Sequence, residues 1–351
     1  YFSSAMILPN DNIIISGFKT VKDKFSMKNS IMAIINNEPN IRKKKKSFVN
    51  MLDQEGKNKW EVNPSEDEEN HLAFTTFLSD QILMAGQKST RFNGYGDAWL
   101  VSLDMNGRKK WEESYGGRGS DGGNYAIKVS DGGYIMVGYT DAYGNGMNDI
   151  WLIKTDFTGE KEWSQVYGGK KDDYGWGVTE TIDGGYVIVG ETFSFGNGQS
   201  DIYLFKVDSL GHKIWDNTFG GIAEDVGYSI ANADDGGFVV ASQTRSYGKG
   251  GSDGMLVKFD QNGEKEWEKV YGGKGLDYFR SIIKDSTKGF VVSGGTRSFS
   301  NGDSQAWLIS VDENGFIIWE NTYGDNKEDG FDMVKQTKTN GYIAVGHSSS
   351  F

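Results

Sequence analysis

Side chains suited to acid–base, nucleophilic or metal chemistry are sparse in this chain of 351 residues. There is no Cys, which removes disulfides, thiolate nucleophiles and Cys-ligated zinc together. The three His are His71, His212 and His347, and no two stand at the spacing of a metal-binding pair. No Gly-x-Ser-x-Gly nucleophile turn occurs. Carboxylates are abundant, so a glycosidase pair stays open on composition, yet nothing singles out two of them. The expectation is therefore no catalytic residue, no metal ligand set and no cofactor.

Two other sets of residues recur at a fixed interval. Glu69, Asp121, Asp173, Asp225, Asp277 and Asp329 follow one another every 52 residues. Brought into a circle, such carboxylates would hold a cation or a basic peptide. The alternative is that each caps the backbone of its own or a neighbouring loop. Recurrence in every unit favours the cap, because a binding site usually breaks symmetry. Tyr143, Phe195, Tyr247 and Phe299 form the second set, again at 52, and Arg245 and Arg297 stand two residues before the last two rings. Aromatic and Arg side chains together suit a protein or glycan contact surface. The competing role for each ring is to lid its own structural unit. The Arg residues break the repetition and are the sharper binding candidates.

These intervals belong to a repeat of the whole chain. Trp60, Trp111, Trp163, Trp215, Trp267 and Trp319 are spaced 51 and then 52 throughout. A short apolar run ends at Gly17, Gly86, Gly138, Gly190, Ser242, Gly294 and Gly346, with a first gap of 69 and later gaps of 52.

Within residues 172–221 each unit divides into four strand-like pieces, a to d. Strand a spans about 175–181, strand b about 186–192, strand c about 201–207 and strand d about 213–219. "DGG" before strand b supplies the positive φ of a tight hairpin. Asp104–Gly107, Asp156–Gly159, Asp208–Gly211, Asp260–Gly263 and Asp312–Gly315 carry the Asp-first, Gly-fourth signature of a type I turn. "YVIVG" and "IYLFKV" are apolar on both faces, so strands b and c are expected inside stacked sheets. The fold class is all-β, a β-propeller of four-stranded antiparallel blades of about 52 residues. Trp of strand d and Trp99, Trp151, Tyr203 and Trp307 of strand c are expected to pack between blades.

One propeller domain covers 1–351, with blades at about 1–66, 67–117, 119–169, 171–221, 223–273 and 275–325 and a partial blade at 327–351. Seven blades are favoured, with part of the ring outside this sequence; six blades and a hairpin are the alternative. The first unit carries an insertion at about 36–50 with one basic run, Arg42, Lys43, Lys44, Lys45 and Lys46. It is expected as a solvated excursion, or as a docking finger for an acidic partner. The opening "YFSSAMILPN" has no initiator Met and no signal segment, so the chain is expected to be processed or to begin within a longer one.

The repeat is similar to one found in bacterial tandem-repeat proteins, patterned DGGYxxxGxTxSxGxGxxDxWLxKxDxxGxxxW…YGG and common in Bacteroidota-like secreted and surface proteins. "DGGYIMVGYTDAYGNGMNDIWLIKTDFTGEKEWSQVYGG", residues 131–169, carries the likeness, which extends over about 70–351. The first unit departs from it at Pro64. The strand order resembles kelch repeats, without their double Gly after strand b. "DFTGEKEW" resembles the Trp motif of quinone-type propellers, although no symmetry-breaking cofactor ligands are seen. "GNGQSD" and "GKGGSD" weakly resemble calcium-binding β-rolls; Asp97, Asp149, Asp201 and Asp253 are expected simply to start strand c. The resemblance implies a propeller and export, and no particular activity.

A formal charge of −12 argues against nucleic acid as partner. No apolar run is long enough to cross a bilayer as a helix. The expected function is a non-catalytic interaction or scaffold propeller, secreted, periplasmic or on the cell surface, partnered by another protein of a surface or envelope complex. A glycan-binding module is the alternative, and a polysaccharide-active enzyme a more remote one. The b–c and d–a loops are long and share one face, so that face is where binding is expected.

Overall fold

The computed structural model describes residues 2–7, 13–20, 45–52, 57–64, 71–77, 81–89, 95–286, 289–300, 303–325, 327–337 and 340–349. Among them there are 26 strands and no helix. The first sheet contains β1 (Phe2–Ile7), β2 (Ile13–Thr20), β3 (Lys45–Leu52) and β4 (Asn58–Val62). The second contains β5 (His71–Phe77), β6 (Gln81–Ser89), β7 (Gly96–Asp104) and β8 (Lys109–Tyr115). The third contains β9 (Asp121–Lys128), β10 (Tyr134–Thr140), β11 (Asp149–Thr155) and β12 (Lys161–Tyr167). The fourth contains β13 (Asp173–Glu180), β14 (Tyr186–Thr192), β15 (Asp201–Val207) and β16 (Lys213–Phe219). The fifth contains β17 (Asp225–Asn232), β18 (Phe238–Thr244), β19 (Asp253–Phe259) and β20 (Lys265–Tyr271). The sixth contains β21 (Asp277–Lys284), β22 (Phe290–Thr296), β23 (Gln305–Val311) and β24 (Ile317–Tyr323). A two-stranded sheet, β25 (Asp329–Gln336) and β26 (Tyr342–Ser348), completes the set.

Every sheet is an antiparallel meander in chain order. The first strands β1, β5, β9, β13, β17, β21 and β25 each pack against the first strand of the next sheet, and β1 packs against β25 and β26. First strands in cyclic contact can only surround an axis, which makes the molecule a β-propeller. In the first sheet the structure shortens the expected insertion. Lys45 and Lys46 open β3, while Arg42, Lys43 and Lys44 lie outside the described residues.

The core lies between sheets. One cluster joins Val137, Ile150, Leu152 and Tyr167 of the third sheet to Tyr186, Ile188 and Phe205 of the fourth. Every residue of β11, β19 and β22 is buried, as strands with sheets on both faces require. Each such aliphatic side chain contributes about 1.5–3 kcal/mol by leaving water. Trp99, Tyr203 and Trp307 are among the largest fully buried side chains, and Trp151, at the same position of the third sheet, is also buried.

The turns fix register. Gly159 N donates to Asp156 O (3.3 Å), while Asp156 Oδ1 accepts from the backbone of Thr158 and Glu160. Gly159 has φ of 89°, and a Cβ there would come within 2.6 Å of the Trp111 ring of the preceding sheet. The DxxG motif thus serves its own hairpin and the junction between sheets. Strand b has Gly at the end of its apolar run, in all units but the fifth with its Ser242, for another reason. Each first strand bulges by one residue, and the carbonyl before the bulge presses on strand b; a Cβ at Gly190 would lie 2.0 Å from Tyr174 O.

Candidate functional site

First strands begin and second strands end at the same mouth of the propeller, where the b–c and d–a loops also gather. The repeated acids stand there, but they do not face a shared ligand. Asp121, Asp173, Asp225, Asp277 and Asp329 are each 0% exposed. Asp173 accepts from Gly169 N (2.8 Å), from the Ser194 hydroxyl (2.7 Å) and from the Thr192 hydroxyl. Asp225 and Asp277 repeat this pattern with Gly221 and Ser246, and with Gly273 and Ser298. Burial raises the carboxyl pKa of Asp121 and Asp173, partly offset by these hydrogen bonds. The circle of exposed carboxylates is therefore replaced by buried clamps that tie strand a to the b–c loop of its own sheet. Glu69 lies outside the described residues. The acids that open strand c act alike: Asp149, Asp201 and Asp253 each accept from two loop amides.

The loop rings cover their own sheets. Tyr143 lies against Trp151, Phe195 against Tyr203 and Phe299 against Trp307, at ring separations of 5.4, 5.4 and 5.6 Å. Tyr247 stacks on Phe219 instead, and its hydroxyl donates to Gly220 O (2.8 Å). Tyr143, Phe195 and Phe299 keep an exposed edge. Arg245 pairs with Glu224, and Arg297 is exposed one sheet further on. His212 sits in a c–d turn at the opposite mouth, paired with Asp208 at 3.0 Å. His71 opens β5.

The arrangement that breaks symmetry lies on the axis. The bulged residue of the first strand is Asn124, Trp176, Tyr228, Arg280 and Asp332 in five successive sheets. One layer nearer the mouth, strand a and strand b face each other through unequal pairs: Gly122 with Tyr139, Tyr174 with Glu191, Tyr278 with Gly295, and Gly330 with His347. Gly opposite a bulky residue is required here, since a Cβ on Gly122 would lie 2.5 Å from the Tyr139 ring.

These side chains form a continuous belt across six sheets. Gln87 Nε2 donates to Tyr139 Oη (3.2 Å), and the Tyr139 and Tyr174 rings meet edge to face at 5.6 Å. Tyr174 stacks with Trp176, and Trp176 touches Tyr228, both at 6.0 Å. The Arg280 guanidinium lies 3.8 Å from the Tyr228 ring centre and 5.1 Å from that of Tyr278. His347 Nδ1 stands 3.4 Å from Asp332. All of these side chains are only partly buried.

The belt is electrostatically uneven. Asp332, aided by Glu328 and opposed by desolvation, raises the His347 pKa. Burial raises the Glu191 carboxyl, and neighbouring Glu224 adds to the effect. Burial and then Asp172 push the Tyr174 hydroxyl up to about 12. The Trp176 indole N–H is buried with no hydrogen-bond partner among the described residues. Such a surface can stack on planar or ring-shaped groups and accept a cation beside its carboxylates. It presents no nucleophile, and no group of three His, Asp or Glu with metal-binding geometry occurs among the described residues.

Sequence reasoning placed the acids, the loop rings and Arg245 and Arg297 at this mouth but missed the belt. The signal was available: in strand a, positions 124, 176, 228, 280 and 332 share the 52-residue period and carry five different residue types.

No family model matches the chain. The regulatory protein FlaEY of Caulobacter vibrioides is 23% identical over 286 residues, 71% of this chain and 29% of that protein. The chain thus spans less than a third of that relative's length. Among solved structures it is similar to the Neurospora crassa Pan2 WD40 domain, with a TM-score of 0.56 and 9% identity over 97% of this chain and 83% of that one. The Pyrococcus horikoshii acylaminoacyl peptidase matches at a TM-score of 0.47 and 13% identity, over 94% of this chain and 47% of that one. The likeness to the Pan2 WD40 domain shows the fold alone, a β-propeller.

Proposed function

We propose that the protein is a non-catalytic interaction propeller, an exported component of a bacterial surface or envelope assembly, that holds a segment of a partner protein at the axial mouth. The observation that carries this reading is the unrepeated belt from Gln87 to His347 on an otherwise repeated scaffold. Rigid sheets, buried acids and lidded loops provide the frame, and the axial column differs in every sheet where its side chain is described. The partner's chemistry follows from the lining. Rings at Tyr139, Tyr174 and Trp176 beside Glu191 and Glu224 suit a segment that presents a Lys or Arg side chain, as Arg280 on Tyr228 illustrates within the chain. The net charge of −12 favours the same partner. Arg245 and Arg297 extend the contact surface outward on the same face. The description of FlaEY as a regulatory protein accords with a binding role.

Affinity capture from a native envelope extract, followed by binding of the purified partner to Trp176→Ala and to Arg245→Ala with Arg297→Ala, tests this reading. Loss on both surfaces is expected, larger at Trp176; unchanged binding by Trp176→Ala would reject the axial mouth. A glycan ligand is the second reading, favoured by the Tyr174 and Trp176 rings that stack at 28°. Retention on a glycan array that is lost in Trp176→Ala would select it.

A further inference from the structure

In the bulge column at the axis the two outer residues are satisfied within the chain and the middle ones are not. Asn124 Nδ2 donates to Gly175 O (2.9 Å), and Asp332 stands beside His347. Between them lie Trp176, Tyr228 and Arg280, in three successive sheets. Each of these carries a hydrogen-bond donor, and among the described residues none of the donors meets an acceptor. Arg280 is the sharpest case, since a charged guanidinium there has no carboxylate or carbonyl partner among the described residues. Gln243, one layer nearer the mouth in the fifth sheet, lies in register with Val226, and its side-chain amide is also without a partner among the described residues.

Arg280 is nonetheless held in place. Its guanidinium lies 3.8 Å from the Tyr228 ring centre and 5.1 Å from that of Tyr278. The Tyr278 ring is itself confined: a Cβ on Gly295 would come within 2.6 Å of its hydroxyl, and one on Gly330 of the next sheet closer still. A guanidinium stacked on a ring uses its face and keeps its edge, where the N–H groups point, for a planar acceptor. Partial burial sharpens the demand, because an unpaired cation away from bulk water costs free energy that a counter-ion recovers. Asp332 does not fill that role, as it faces His347 at 3.4 Å. Asp332 and Glu328 are the carboxylates that act, with Arg280, on Tyr278 and His347. One guanidinium beside these two carboxylates balances a monoanion better than a dianion, which favours a carboxylate over a phosphate.

We propose that Arg280, with Tyr228 and Gln243, forms a carboxylate subsite of the axial mouth that takes an Asp or Glu side chain of the partner's segment. The inference rests on the reading of the mouth as a segment-binding site and gives that segment a second charge. Glu191 and Glu224 take its basic residue at the fourth and fifth sheets, and Arg280 takes its acid at the sixth. The segment therefore lies in one direction across the axis. A peptide acid is favoured over a sugar acid because the acidic half of the mouth calls for a basic group on the same ligand.

The probe is N-acetylglutamic acid α-amide, titrated into the isotope-labelled full chain, with the Arg280 Nε–H and Trp176 indole N–H resonances as the readout. Saturation with a dissociation constant of about 1–10 mM is expected, and no saturable shift with N-acetylglutamine amide, which has the same shape without the charge. Arg280→Gln should weaken the probe at least about tenfold, and Tyr228→Phe, which keeps the ring under Arg280, about fivefold. The comparison of the two amides needs no variant and stands even where Arg280→Gln fails to fold. No saturable shift, an equal response to both amides, or undiminished binding by both variants would each overturn the subsite. Tighter binding of methyl glucuronide or methyl phosphate than of the glutamate probe would overturn its assignment to a peptide acid. The captured partner separates this inference from the reading beneath it. Binding lost in Trp176→Ala but kept in Arg280→Gln would leave the axial mouth standing and remove the subsite. Saturable binding of the probe with a partner indifferent to Trp176→Ala would keep the carboxylate site and reject the partner's segment as its occupant.

Discussion

Asp173 and Trp176 stand three residues apart on one strand, and they represent opposite uses of a repeat. The Asp173 position is acidic and buried in the third to seventh sheets, and in each the side chain accepts from an amide of its own loop. The Trp176 position differs in each sheet where its side chain is described, lies at the bulge and borders the axis. The first column shows what a sheet needs in order to be a sheet. The second shows where this propeller stops being generic. Recurrence in a repeat protein therefore marks structural demand, and the functional surface is sought in the column that recurs in place but not in kind.

The comparison can be broken by substitution. Asp173→Ala removes the acceptor for Gly169 N, Ser194 and Thr192 in a buried place and should cost about 2–4 kcal/mol, measured by urea unfolding. A loss below about 0.5 kcal/mol, the scale of ordinary surface changes, would end the distinction between the columns. Trp176→Ala should leave unfolding nearly unchanged yet weaken the captured partner at least tenfold, about 1.4 kcal/mol. A large loss of stability instead would make the belt a structural element. Tyr271→Phe should cost about 1 kcal/mol by removing the bond to Gly315 O, whereas Tyr323→Phe, whose ring is 38% exposed, should cost close to nothing in the chain alone. Equal losses would contradict the difference in burial between the two rings.

The smallest effect is a pH dependence within the belt. Asp332 raises the folded pKa of His347 above its ordinary value of 6.5. The stabilisation is therefore fully present below the unfolded His pKa and is lost as the pH rises through the folded one. His347→Gln should remove that part of the stability–pH profile, as read by thermal unfolding between mildly acidic and mildly alkaline buffers. A profile that keeps its slope would assign the dependence to another group.

Period and turn chemistry carried most of the architecture. The spacing of Trp111, Trp163, Trp215, Trp267 and Trp319, the DxxG turns and the doubly apolar strands b and c are local features, legible before any contact is known. The fate of the acids was less legible. A recurring Asp at a loop has the same sequence signature whether it faces solvent or clamps its own backbone, and only burial separates the two. The belt was least legible, because a bulge shifts strand a by one residue and redirects the side chain that follows from simple alternation. Alternation alone does not direct Trp176, Tyr228 and Arg280 to one axis.

By itself the sequence determined the unit: a four-stranded antiparallel sheet of fixed length, apolar on both faces and unable to exist without neighbours. It did so because hairpin turns, strand alternation and residue spacing are properties of contiguous chain. The tertiary structure alone decided which residues meet across sheets: that β1 closes against β25 and β26, and that five unlike side chains share an axis. The physical reason is that these contacts join residues about one repeat apart or at opposite ends of the chain. Their geometry is set by the number, twist and bulging of all the sheets together and by no single one of them.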